Sequence, residues 1–174
     1  MILVNRFDQE VGVANKLPAH QHGWLHRAFS IQLFAQQHDR VYALLQQRAS
    51  HKYHCAQLWT NTCCSHFTPG WAAERCVVAR LQEEMGLQHN DLRHCAQFCY
   101  RAELANGLIE HEFDHVYIGW MDCRDVPFNP DEVMAYRWQE VAELEQLLAT
   151  NPEQFTPWFP QVFQHAVTHL SKHG

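Results

Sequence analysis

No stretch of the sequence approaches the ~20 consecutive apolar residues that a membrane-crossing helix needs, so no membrane partner is expected. The opening MILVNRFDQEVG reaches Arg6 and Asp8 before an apolar stretch of signal-peptide length accumulates, and a cytoplasmic location is expected. Positive charge is scarce. Lys and Arg number 13 against 19 Asp and Glu, the formal net charge is −6, and no cationic cluster is of the kind that tracks a phosphate backbone. Nucleic acid is therefore disfavoured as a partner. Glycine and proline number 7 each and form no linker, repeat or low-complexity tract. One domain over residues 1–174, acting as a monomer, is the simplest organisation. A disulfide framework is missing too. The 7 cysteines, at 55, 63, 64, 76, 95, 99 and 123, are odd in number and scattered, which without a secretory signal points to free thiols.

What is present is globular in character, with 47% hydrophobic and 18% charged residues. A chain of this length can bury roughly 68–70% of the surface its unfolded form exposes. Residues 26–35 and 40–49 are apolar runs with β-branched or aromatic content, separated by polar QQHD, and read as a strand pair. Residues 71–87 carry Ala73, Cys76, Val77, Leu81 and Met85 at helical spacing, with Gly86 where a C-terminal cap belongs. Residues 94–104 and 108–122 read as strands joined around Asn106-Gly107, residues 133–138 as a short strand, and residues 139–150 and 157–170 as helices. This alternation predicts an α/β (α+β) fold around one core.

Four stretches could carry chemistry. In IEHEFDH, a strand's alternation puts Glu110, Glu112 and Asp114 on one face, about 6.6 Å apart along the strand. Such a row suits a solvated edge, but apolar Leu108, Ile109 and VYIGW flank it, and buried like charges need a cation or a proton between them. In HQHGWLHRAF, His20, His22 and His26 precede the first strand of the pair, in a loop or strand end where ring nitrogens can converge or simply be solvated. In LWTNTCCSHF, Cys63, Cys64 and His66 lack the second Cys pair of a structural zinc site, so a thiol beside a metal-ligating histidine competes with a packed turn. Cys95 and Cys99, in a strand, would share one face and pack as small hydrophobes. In RLQEEMG, two acids near a helix C-terminus oppose its dipole, and are either a solvated surface or ligands for a metal–diphosphate. That helix is similar to the Nudix pattern G-x5-E-x7-R-E-U-x-E-E-x-G-U (U aliphatic). It keeps Leu81, Glu83, Glu84, Gly86 and Leu87 and has Ala79-Arg80 for R-E, Trp71 for the earlier Glu and Ser65 for the first Gly.

The succession LHRAFS, LLQQRASHKYH, LWTNTCCSH, RLQEEMG, YRA, EHEFDHVY and NPDEVMAYRW, from Lys16 to Trp158, resembles the type I isopentenyl-diphosphate isomerases. That family has a Nudix-like fold, a mixed β-sheet sandwiched between helices, and interconverts isopentenyl and dimethylallyl diphosphate. The resemblance implies one divalent metal (manganese, zinc or magnesium) held by His20, His26, His66, Glu110 and Glu112. It implies a second magnesium that Glu84 bridges to the substrate diphosphate. Cys64 matches the catalytic cysteine and Glu112 the catalytic glutamate, with Tyr100 hydrogen-bonded nearby. Lys16, Arg48, Lys52 and Arg80 match cations that face the diphosphate, and Trp158 an aromatic at the hydrocarbon end. The chain departs from the family at Phe67, where Pro is usual, and at Ala56-Gln57, where Pro-Gly is usual, both in the turn expected to carry Cys64.

Moving an unactivated double bond needs one proton added and another removed from C2 on the opposite face of the substrate, so two acid/base groups are required. A thiol with a pKa near 8.5 keeps its proton at neutral pH and can exchange it. Which of Cys64 and Glu112 gives the proton stays open at this point. The alternatives are a Nudix-type diphosphate hydrolase, disfavoured by Trp71 and Ala79, and a non-catalytic metal- or ligand-binding module on the same fold.

Overall fold

The computed structural model describes residues 1–104 and 106–171, so residues 105 and 172–174 of the expected domain lie outside the described part. In chain order the elements are β1 (Ile2–Val4), β2 (Glu10–Val13), α1 (Lys16–His22), β3 (His26–Gln37), β4 (Arg40–Arg48), β5 (Trp59–Thr60), β6 (Cys63–His66), α2 (Ala73–Met85), β7 (Arg93–Glu103), β8 (Ile109–Trp120), β9 (Val133–Glu140), α3 (Val141–Thr150) and α4 (Phe159–Ser171). The strands form a mixed sheet in which β8 runs parallel to β3 and every other pairing is antiparallel.

Helices cover both faces. On one side Cys76, Val77, Leu81 and Met85 of α2 pack against Phe29, Ile31, Leu33 and Leu44. On the other, Leu144 of α3 and Phe159, Val162, Phe163 and Ala166 of α4 pack against Phe34, Ala43, Leu45 and Val116. This double cover explains why β3 reads as an almost unbroken apolar run: a strand buried on both faces has no polar face to alternate with. The fold is the helix-covered mixed sheet that the sequence predicted.

What positions the site is a split in that sheet. β3 and β4 are hydrogen-bonded only at their hairpin end, Phe34–Gln37 with residues 40–43. Beyond it β3 takes β6 and β8 as neighbours, whereas β4 takes β5 and β9. Side chains from both arms line the opening.

Helix α2 ends where expected. Gly86 adopts φ +65°, its N–H reaches Gln82 O at 3.0 Å, and a Cβ there would come within 2.3 Å of Pro127 O. Only glycine closes the helix at this point, and Glu84 stands two residues before it. The described turn residues at Asn106-Gly107 also behave as predicted, with Gly107 at φ +76° and its N–H on Leu104 O at 3.0 Å. Strands β1, β2, β5 and β6 were not foreseen; they run only 3, 4, 2 and 4 residues. Runs so short carry too little periodicity to read.

Candidate active site

Register builds the histidine end. The parallel β3–β8 ladder sets His26 against Glu112, and the antiparallel β3–β6 ladder sets Ala28 against His66 and Ser30 against Cys64. His66 Nε2 and His26 Nε2 therefore approach Glu112 Oε1 at 2.9 and 3.4 Å. His20 arrives from α1. Gly23, at φ +63°, closes that helix and leaves no Cβ to collide with Ile109 of β8, which such an atom would meet at 2.9 Å. One ligand atom from each of His20, His26, His66 and Glu112 then lies within 4.8 Å of all the others. Glu110 stands beside this group, its Oε2 3.5 Å from His20 Nε2.

The outer ring nitrogens are already engaged. His26 Nδ1 donates to Trp24 O at 2.8 Å, and His20 Nδ1 pairs with the Tyr53 hydroxyl at 2.7 Å. Their inner partners are not: His20 Nε2, His26 Nε2 and Glu110 Oε2 are buried and make no hydrogen bond. Buried polar atoms without partners cost free energy, roughly 1–3 kcal/mol each. A divalent cation among them satisfies all three. Mixed imidazole and carboxylate donors with their outer nitrogens oriented by hydrogen bonds are the usual chemistry of such a centre.

Charge at this end is set by burial and by near contacts. Burial opposes ionisation of Glu112 and Glu110 adds repulsion, but the close approach of His26 Nε2 and the hydrogen bond from His66 Nε2 hold the Glu112 carboxyl below its ordinary range. Burial pulls the His66 pKa down to about 4 despite Glu112. His66 is thus neutral and free to offer a lone pair. Next along β8, Asp114 is pushed well above the carboxylate range by burial and by Glu112; Ser30 Oγ donates to its Oδ2 at 2.7 Å.

The catalytic candidates face the same cavity. Cys64 lies on β6, across β3 from Glu112 on β8, and burial drives its thiol pKa far up, against the pull of Arg48. Its Sγ is 4.0 Å from Arg48 Nη1. The Tyr100 hydroxyl donates to Glu112 Oε2 at 2.5 Å, and burial first, then Glu112, keeps that phenol protonated. Trp158 is buried, with Arg48 5.5 Å from its ring centroid.

At the α2 end, Glu84 is buried with Arg80 Nη2 on its Oε1 at 2.5 Å and Gln46 Nε2 on its Oε2 at 3.1 Å. Glu83 points outward to Arg80 Nη1 at 2.7 Å. Lys52 Nζ pairs with Glu132. Lys16 Nζ sits 5.2 Å from the Tyr53 ring centroid. All the predicted site residues except His20 and His26 line this one cavity, and those two stand behind its wall.

Three expectations are corrected. His20 lies in helix α1 and is 1% exposed, not in a loop, because Asn15 and Gly23 bracket a turn of helix that the histidine-rich sequence concealed. Cys64 sits on strand β6 and not in a turn. The true turn is at Ala56-Gln57, where Gln57 holds φ +65° at the position of the family's glycine, and Phe67 instead packs on Phe29 at 4.9 Å. Cys95 and Cys99 do not share a face: a bulge between His94 and Ala96 shifts the alternation, so Cys95 packs inward and Cys99 is exposed.

Sequence reasoning missed Tyr53, His54 and Glu132. His54 Nε2 donates to Glu110 Oε1 at 2.6 Å and is 8% exposed. It was one of 14 histidines in a segment without regular structure, so no periodicity singled it out.

Residues 24–159 match the NUDIX domain family. The isopentenyl-diphosphate Delta-isomerase of Photobacterium profundum is 46% identical over 173 residues, 98% of this chain and 96% of its own length. That of Pectobacterium atrosepticum is 47% identical over 164 residues, 94% and 88% of the two chains. Among solved structures, a Deinococcus radiodurans protein superposes with TM-score 0.75 at 18% identity, over 94% of this chain and 96% of its own. The NUDIX domain of Shewanella oneidensis NrtR, complexed with ADP ribose, gives 0.66 at 16% identity over 84% and 88%. At such identity the structures speak to fold alone, but the sequence relatives cover nearly the whole chain. The protein belongs to the NUDIX domain family and, within it, to the isopentenyl-diphosphate Delta-isomerases.

Proposed function

We propose that this chain, folded as one domain, interconverts isopentenyl and dimethylallyl diphosphate. The observation that carries the reading is the arrangement of two proton-handling groups in one buried cavity: the Cys64 thiol on β6, and the Glu112 carboxylate with its Tyr100 partner, across β3 on β8.

The reaction adds a proton to the terminal carbon of the homoallylic double bond and removes one from C2, so the proton count is unchanged. Burial keeps Cys64 in the thiol form at neutral pH, and hydrogen bonding keeps Glu112 ionised. One group carries a proton and the other can accept one, which is what two-sided transfer requires. Tyr100, protonated, steadies the Glu112 carboxylate by donating a hydrogen bond to its Oε2. Trp158 presents an aromatic surface beside Cys64 and Arg48, where a cationic carbon gains about 1–2 kcal/mol from the ring face. Such a cation must be kept from water, which would capture it.

His20, His26, His66, Glu110 and Glu112 would hold one divalent metal, manganese, zinc or magnesium, and Glu84 a second magnesium shared with the diphosphate. Bound there, the metals supply positive charge that favours the ionised carboxylate and neutralises the phosphates. Lys16, Arg48, Lys52 and Arg80 add fixed cations that hold the diphosphate in place and keep it from departing.

The test is to incubate purified protein with isopentenyl diphosphate and magnesium and to follow phosphorus and carbon signals by NMR. The reading expects dimethylallyl diphosphate with no free phosphate. Phosphate release would identify a hydrolase, and metal uptake without conversion a binding module.

A further inference from the structure

Glu132 has no place in the chemistry above, yet its carboxylate projects into the same cavity as the diphosphate-facing cations. Two hydrogen bonds fix its backbone, and a third fixes the turn that carries it. Glu132 N donates to Asn129 O at 3.0 Å, Ala49 N donates to Glu132 O at 3.1 Å, and Asn129 N donates to Glu84 O at 2.9 Å, which pins the turn to the end of α2. The Asn129 side chain closes the turn by accepting from Asp131 N at 3.0 Å. A backbone held so firmly, just before β9 and beside the ends of β4 and α2, makes the fold place the Glu132 side chain at this mouth of the cavity.

Its partners are Lys52, in direct contact, and Arg80, whose Nη2 lies 3.7 Å from Oε2. Attraction to Lys52 and then Arg80 outweighs the effect of partial burial and keeps the Glu132 carboxyl below its ordinary range. Its side chain is 20% exposed, so it can swing to solvent, whereas the Glu84 side chain is 7% exposed and gripped at both oxygens.

Resting on the reading of this end as the diphosphate subsite, we propose that Glu132 is an internal counter-anion: it occupies Lys52 and Arg80 in the free protein and is displaced by the substrate's diphosphate. The displaced carboxylate competes with every bound diphosphate and repels it at close range. It therefore sets the affinity of the site below what its cations alone would give, and favours release of a product that carries the same diphosphate as the substrate. A ligand to magnesium, or a strut for the turn, would have the opposite consequence, because its loss would weaken binding.

The experiment compares wild-type protein with Glu132→Gln and Glu132→Ala by calorimetric titration with inorganic pyrophosphate, with and without magnesium, after thermal melts show that each variant folds. A counter-anion predicts that both variants bind pyrophosphate more tightly, by roughly threefold to tenfold. The KM for isopentenyl diphosphate should fall with it, and more than kcat changes. Unchanged or weaker pyrophosphate binding in both variants overturns the proposal while the subsite stands. Failure of wild-type protein to bind pyrophosphate at all would instead remove the subsite itself.

Discussion

At the histidine end of the cavity, the inner nitrogens of His20 and His26 and one oxygen of Glu110 are buried with no hydrogen-bond partner. At the α2 end, the carboxylates of Glu84 and Glu132 are held by Arg80, Gln46 and Lys52. The first end is short of positive charge and gains most from a resident cation. The second is nearly neutral within itself, so an incoming diphosphate must break ion pairs to bind. Under the proposed function the two ends of one cavity are prepared differently: the first suits a resident cation, the second an anion that comes and goes.

Substitutions at the two ends should separate these behaviours. His26→Ala or His66→Ala should abolish stoichiometric metal retention and, with it, turnover. Glu84→Gln should leave that metal in place and instead weaken magnesium-dependent pyrophosphate binding. Elemental analysis beside calorimetry checks both arms, and equal metal loss in all three variants would erase the distinction between the ends.

A smaller effect sharpens the histidine end alone. His54 grips one oxygen of Glu110 and leaves the other without a hydrogen bond, so under the proposed ligand set it is a positioning residue. His54→Ala should weaken metal affinity about 10- to 100-fold. His54→Gln, whose amide can still donate to Glu110, should recover part of the loss. Competition with a chelator of known affinity reads this without reference to turnover.

The smallest effect lies outside the cavity. Gln57 adopts a left-handed conformation that costs a non-glycine residue roughly 1–2 kcal/mol. Gln57→Gly relieves that strain but loosens the unfolded chain and removes the side chain, so the net gain should be near 1 kcal/mol, or about 2–4 °C in melting temperature for a chain of this size. A lower melting temperature would show that the Gln57 side chain contributes more than its backbone costs.

Long elements were legible because periodicity accumulates over many residues. Strands β3, β4, β7 and β8 and helices α2 and α4 were all visible as apolar patterns, and Gly86 marked a true helix end. The row of Glu110, Glu112 and Asp114 followed from strand alternation alone, and the three are buried as the flanking apolar residues implied. What spacing could not supply was convergence. His20, His26 and His66 sit on three elements; the ladders that flank β3 bring His26 and His66 together, and the end of α1 at Gly23 brings in His20. Family resemblance named that set; local patterns could not. Tyr53, His54 and Glu132 lie between or at the ends of regular elements, where neither the helical nor the strand period applies.

The proposed function stands on proton exchange between a five-carbon diphosphate and the pair Cys64 and Glu112, on opposite sides of β3. It is tested most directly by incubating the protein with isopentenyl diphosphate in D2O and following deuterium by NMR. Wild-type protein should place solvent deuterium in dimethylallyl diphosphate, while Cys64→Ala and Glu112→Gln, folded by circular dichroism, should lose that incorporation by at least about 10²-fold. Deuterium incorporation at the wild-type rate in both variants would show that neither residue handles the transferred proton.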